Sequence, residues 1–121
     1  MQKGVIVLAH GSREPETTKT MEAVVERVRE LSRNDKIRMA FFQFAQPSLE
    51  DSVRAFADEG VNDICIVPYF LFSGVHVKED LPEAIGLLVG EHPGISITVA
   101  DTLGADRRLA EIVADRISGV T

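Results

Sequence analysis

Four short apolar runs, at residues 4–9, 36–44, 63–68 and 95–100, recur along the chain, and each is followed by a segment of helical periodicity. Strands that alternate with helices rejoin their sheet through crossovers, so this order predicts parallel strands, right-handed connections and helices on both faces of the sheet. The runs GVIVLA and DICIVP are apolar throughout, as strands covered on both faces must be, whereas KIRMAF begins half polar and ISITVA alternates. The first pair belongs at the centre of the sheet and the second pair at its flanks. With strands one and three adjacent, the simplest arrangement is a flavodoxin-like α/β fold, a four-stranded parallel sheet in the order 2-1-3-4.

The helical segments carry their own signals. Met21, Val24, Val25, Val28 and Leu31 follow one-faced helical spacing, as do Leu109, Ile112, Val113 and Ile117 with Arg116 at the boundary, so both helices are expected to pack on the sheet. Ser48 with Asp51 three residues on predicts a capped helix start, Gly60 a helix end, and Leu49, Val53 and Phe56 the inward face between them. In the next helix Leu81, Ala84, Ile85, Leu88 and Val89 share a face, Pro82 fits the first turn, and Gly86 weakens the middle.

At 121 residues with 45% hydrophobic composition, residues 1–121 are expected to form a single domain with a substantial core. No segment approaches the roughly 20 apolar residues of a membrane span, and the first residues lack the layout of a secretory leader. With 13 Lys and Arg against 19 Asp and Glu, a net charge of −6 and no basic stripe, nucleic acid is not an expected partner. The single cysteine, Cys65, lies in an apolar run and reads as a buried, inert thiol, so a cytoplasmic protein is expected.

In an open parallel sheet ligands bind beyond the carboxyl ends of the strands where the strand order reverses, here after strands one and three. His10 directly follows the first strand in LAHGSR, with Gly11 permitting a sharp turn and Ser12 able to hydrogen-bond the backbone at the helix entry. After the third strand, an aromatic stretch of Tyr69, Phe70, Leu71 and Phe72 leads through Gly74 to His76. That stretch reads either as a strand continuing past Pro68 into the core or as the wall of a pocket for a large apolar ligand. Asp80, four residues beyond His76, has two roles open to it: fixing the imidazole tautomer, or the helix-start chemistry that is the expected one. Two imidazoles converging on one crevice suit Co²⁺, Fe²⁺, Ni²⁺ or Zn²⁺ and leave coordination positions open. His92, in the turn before the last run, reads as a surface-loop residue.

Three segments, LAHGSR at residues 8–13, AFFQFAQPSLEDSV at 40–53 and VPYFLFSGVHVKEDLP at 67–82, together resemble the small sirohydrochlorin chelatases of the class II chelatase group. Those enzymes insert a divalent metal into a tetrapyrrole. The resemblance implies that His10 and His76 bind the incoming metal, with Co²⁺ favoured and Fe²⁺ or Ni²⁺ as alternatives, and assist loss of the pyrrole protons. Imidazole, which titrates near neutrality, suits either task. No tightly bound cofactor is implied, since the metal is a substrate. The resemblance also implies a homodimer, because longer relatives carry two such lobes in one chain. It makes Ser12, Arg13, Gln43, Phe72 and Gly74 the residues expected beside the tetrapyrrole, with Arg13 and Lys78 as cationic anchors for the carboxylates of sirohydrochlorin. Where the family usually reads A-F-L-E, this chain reads Ala40-Phe41-Phe42-Gln43, so a neutral amide replaces the familiar carboxylate.

The leading expectation is therefore cobalt insertion into sirohydrochlorin for cobalamin synthesis, with iron insertion for siroheme as its close variant. A metal or tetrapyrrole carrier without turnover is a second reading, motivated by Gln43. A phosphocarrier, in which the histidine after the first strand takes a phosphoryl group, is a third, and it leaves His76 and the aromatic run without a role.

Overall fold

The computed structural model describes residues 3–33 and 35–120. Strands β1 (Gly4–Ala9), β2 (Lys36–Phe41), β3 (Asp63–Pro68) and β4 (Ser96–Val99) form one parallel sheet in the order β2-β1-β3-β4. Gly4 pairs with Lys36 on one side and with Ile64 on the other, which aligns the carboxyl ends of the two central strands. Helices α1 (Pro15–Leu31), α2 (Leu49–Asp58), α3 (Leu81–Glu91) and α4 (Arg107–Ser118) follow the strands in turn. The expected order of strands and the central placing of β1 and β3 are both found.

Alternation along β1 divides the core into two layers. Ile6 and Leu8 point to the side where Leu49, Val53, Phe56, Leu81 and Leu88 pack from α2 and α3. Val7 and Ala9 point to the other, where Met21 and Val25 of α1 meet Ile37 and Phe41. Each fully buried side chain of this size contributes about 1.5–3 kcal/mol relative to exposure. Ser52, buried beneath α2, donates its hydroxyl to the Met39 carbonyl at 2.8 Å, so its polar atom is satisfied.

Helix α2 starts as its sequence predicts. The Ser48 hydroxyl accepts from the Asp51 N–H at 3.1 Å while the Asp51 carboxylate accepts from the Ser48 N–H at 3.1 Å. Gly60 follows its end at a φ of 80°, a conformation glycine adopts without cost. At the amino end of the sheet the Arg29 guanidinium donates to the Ile37 carbonyl, tying α1 to β2, and Lys36 and Arg38 both pair with Glu59.

Several expectations need correction. The second apolar run does not stay extended to residue 44: β2 ends at Phe41, and Phe44 takes a positive φ of 65° that turns the chain away. Leu31, the last residue of α1, is 86% exposed rather than on the inward face. Val89, expected inward on α3, is also exposed, and Cys65 is only half-buried. Helix α4 buries no residue at all, although Ile112, Val113 and Ile117 lie on it in amphipathic spacing. It follows the edge strand, beyond which the described residues form no further strand for its apolar face to cover. Among the described residues no helix is long and apolar enough to cross a membrane.

Candidate active site

Beyond the last strand pairs the loops stay tied to β1. The Phe42 N–H donates to the Ala9 carbonyl at 3.0 Å, the Gln43 N–H to the His10 carbonyl at 3.2 Å, and the Tyr69 N–H to the Leu8 carbonyl at 2.7 Å. These bonds carry the β1–α1, β2–α2 and β3–α3 connections to one end of the sheet, so that residues remote in sequence meet there. Gly11 makes the approach possible. Its φ is 99°, and a Cβ at this position would fall 1.8 Å from the Gln43 carbonyl oxygen.

His10 and His76 meet edge to face with ring centroids 4.6 Å apart. His10 is exposed and the His76 side chain is 42% exposed, so the pair sits at an open mouth. His76 begins a π-helical turn, His76–Asp80, that runs directly into α3. Such turns are rare and occur often at functional sites. Within it, His76 Nδ1 lies 2.8 Å from Asp80 Oδ2. A carboxylate only accepts, so Nδ1 carries a proton, and in the neutral ring Nε2 keeps a free lone pair for a metal or a proton. The turn and α3 form one continuous helical stretch, so Asp80 lies within it rather than at its start, and the helix-start role expected of Asp80 gives way to the bond with His76.

His10 is oriented from the other side. Its Nε2 lies 3.1 Å from Nε2 of the Gln43 side-chain amide. With its N–H turned to the ring, Gln43 donates to Nε2 and places the imidazole proton on Nδ1; turned about, its oxygen accepts from Nε2–H and frees Nδ1. A glutamine supports either tautomer, whereas a carboxylate supports only one.

Aromatic rings frame the pair. Phe70 meets His10 edge-on at 6.1 Å, and Phe42 lies 5.5 Å from His76 and stacks on Phe70 at 6.2 Å. Phe42 also borders a neighbouring groove of about 350 Å³ lined by Leu49, Ala84, Leu87 and Leu88. The strand does not continue past Pro68: Tyr69 and Phe70 are half-buried, while Leu71 is exposed and Phe72 is 80% exposed. Phe42 escaped the sequence reading because it sat inside a run taken for strand. Only its place just beyond a strand's carboxyl end could have marked it.

The other expected residues take varied positions. The Ser12 hydroxyl accepts from the Glu14 N–H at 3.0 Å, a loop-closing bond. The Arg13 guanidinium rests 4.5 Å above the Phe44 ring. The Gly74 carbonyl accepts from the Val77 and Lys78 N–H groups at 3.1 and 3.0 Å, starting the turn that carries His76, while a Cβ on Gly74 would meet nothing within 4 Å. Lys78 borders a shallow groove of about 290 Å³ with Ser73, Gly74, Val75 and Glu79. His92 ends α3, away from this mouth.

Comparison with known proteins agrees with this architecture. The chain is 33% identical to the sirohydrochlorin cobaltochelatase of Methanopyrus kandleri, with 93% of each chain covered. It is 31% identical to the chloroplastic sirohydrochlorin ferrochelatase of Arabidopsis thaliana over 94% of this chain but 51% of that one. The crystal structure of a CbiX protein from Marinobacter aquaeolei superimposes with a TM-score of 0.82 at 32% identity, covering 97% of this chain and 95% of that one. The CbiX family model matches residues 4–120, from the first strand to the end of α4. By that match, and by its relatives, the chain belongs to the CbiX family.

Proposed function

We propose that this protein is a sirohydrochlorin chelatase that inserts a divalent metal, Co²⁺ in preference to Fe²⁺ or Ni²⁺, into the tetrapyrrole. The observation that carries the reading is the 4.6 Å approach of His10 and His76 at the carboxyl ends of the two central strands. Relatives named sirohydrochlorin cobaltochelatase that match nearly the full chain support cobalt, and the Marinobacter aquaeolei structure described as a cobalamin biosynthesis protein supports a role in cobalamin synthesis.

Insertion requires a metal presented to one face of the macrocycle while two pyrrole protons leave. His76, its Nδ1–H held by Asp80, offers Nε2 as ligand or base, and His10 offers the nitrogen that Gln43 leaves free. Two neutral imidazoles bind a divalent ion without enclosing it, and among the described residues no three His, Cys, Asp or Glu side chains converge into a cage. Weak, open coordination lets the ion be passed on. Phe42 and Phe70 supply apolar surface at the mouth, and Arg13 supplies positive charge for the substrate's carboxylates.

In this reading residues 1–121 act as a single domain paired with a second copy, which would cover the open histidine pair. The unburied apolar face of α4 supports a homodimer, since exposed apolar surface of that extent is ordinarily covered.

The test is to mix the protein anaerobically with sirohydrochlorin and Co²⁺, Fe²⁺ or Ni²⁺ and follow the visible spectrum against protein-free controls and His10→Ala. The wild type is expected to speed insertion and the variant to match the control. If the wild type also matches the control, turnover is absent and the chain is a carrier.

A further inference from the structure

Two features of the mouth have no part in holding the metal. Phe44 is a bulky residue at a φ of 65°, a region such residues rarely adopt, and it is 54% exposed. Strain of this kind persists where the surroundings impose it and gathers at ligand sites. An exposed ring returns little of that cost through burial. The second feature is Arg13. Among the described residues no carboxylate pairs with Arg13, as none pairs with Arg27, Arg33 or Arg116, but Arg13 is the one of these four that stands beside the histidine pair. Its guanidinium instead lies with Cζ 4.5 Å from the centre of the Phe44 ring.

The two features explain each other. A guanidinium resting on an aromatic ring keeps its N–H donors, which point around its rim, available for a carboxylate. Phe44 adjoins Gln43, whose backbone N–H bonds the His10 carbonyl and whose side chain reaches the His10 ring. The residue beneath Arg13 thus follows directly on the one that is bonded to His10.

We propose that Phe44 is a positioning residue: its strained backbone holds an aromatic seat for Arg13, which fixes one substrate carboxylate at a set place relative to His10. This rests on the chelatase reading and adds to it a residue that sets how the macrocycle docks. The seat favours a polycarboxylate tetrapyrrole over one whose carboxylates are esterified.

Binding of metal-free sirohydrochlorin, followed by its fluorescence, tests the proposal together with thermal melting and insertion kinetics. Phe44→Leu is expected to weaken binding roughly fivefold, Phe44→Tyr to restore it, and the change to fall on KM rather than kcat. Phe44→Gly removes the unfavourable φ, so it is expected to melt higher while binding as weakly as Phe44→Leu. A purely structural role would move melting and binding in the same direction. In Arg13→Gln the further change Phe44→Leu is expected to cost nothing more, because the two act through one contact. The octamethyl ester of sirohydrochlorin is expected to be indifferent to all of these changes. If Phe44→Leu and Phe44→Gly bind as the wild type while Arg13→Gln is weakened, the seat is refuted and the chelatase reading survives. A wild type that does not bind sirohydrochlorin overturns both.

Discussion

The side-chain amide of Gln43 stands 3.1 Å from Nε2 of His10, although 33 residues separate them in sequence. A carboxylate there would hold the His10 proton on Nε2, leave Nδ1 free and add a negative charge beside a divalent ion. Gln43→Glu is therefore expected to raise the initial rate of Co²⁺ insertion about tenfold. An unchanged rate in the spectral assay would show that the amide does not limit the site.

Asp80 holds His76 through a 2.8 Å bond and contributes no helix cap. Asp80→Ala is expected to weaken Co²⁺ binding about tenfold in calorimetric titration while leaving the circular dichroism spectrum unchanged. Asp80→Asn, which can still accept the Nδ1–H through its amide oxygen, should fall between the two. Equal affinities for all three would show that the bond does not orient the ring.

Gly11 sits where two loops touch, with a φ of 99° and the Gln43 carbonyl in the place of a side chain. Gly11→Ala is expected to destabilise the fold by about 1–3 kcal/mol in urea denaturation, through strain and displacement of the β2–α2 loop. Gly74→Ala, with open space around the new methyl, is the matched control and is expected to change stability little.

Acid should weaken the fold through carboxyls whose affinity for protons falls on folding. The Lys36 ammonium, followed by the Arg38 guanidinium, holds Glu59 below its ordinary 4.5. The Ser48 backbone N–H, followed by its hydroxyl, holds Asp51 below 3.8, and Arg108 lowers Asp106. Because the folded values are depressed, this stability is present above the unfolded values and is lost as pH falls through them toward the folded ones. All three groups are reached by solvent, so the effect is modest and salt-sensitive. Thermal melting is expected to decline below about pH 4.5, and Glu59→Gln to lower the plateau and soften the decline. A Glu59→Gln profile parallel to that of the wild type would contradict this.

Helix α4 presents Val113 and Ile117 to solvent, 59% and 58% exposed. If a second copy covers them, Val113→Glu with Ile117→Glu should shift the mass in sedimentation from dimer to monomer without unfolding the chain. Two exposed substitutions change little in an isolated fold, whereas each charge buried at an interface is costly. A variant that remains dimeric would place the interface elsewhere.

What the sequence determined alone was whatever depends on local period and local chemistry. The continuous apolarity of GVIVLA and DICIVP identified the central strands, Ser48 and Asp51 marked the start of α2, and the position of His10 and His76 after strands one and three marked the mouth. Each of these signals is written within a few residues. The tertiary structure decided the rest. It assigned Asp80 to His76 rather than to the start of a helix, ended β2 at Phe41 so that Phe42, Gln43 and Phe44 could turn to the site, and left the amphipathic α4 without a layer to cover. Those outcomes depend on which loops the sheet register brings within hydrogen-bond reach and on where the sheet ends. Neither is encoded in the periodicity of any one segment.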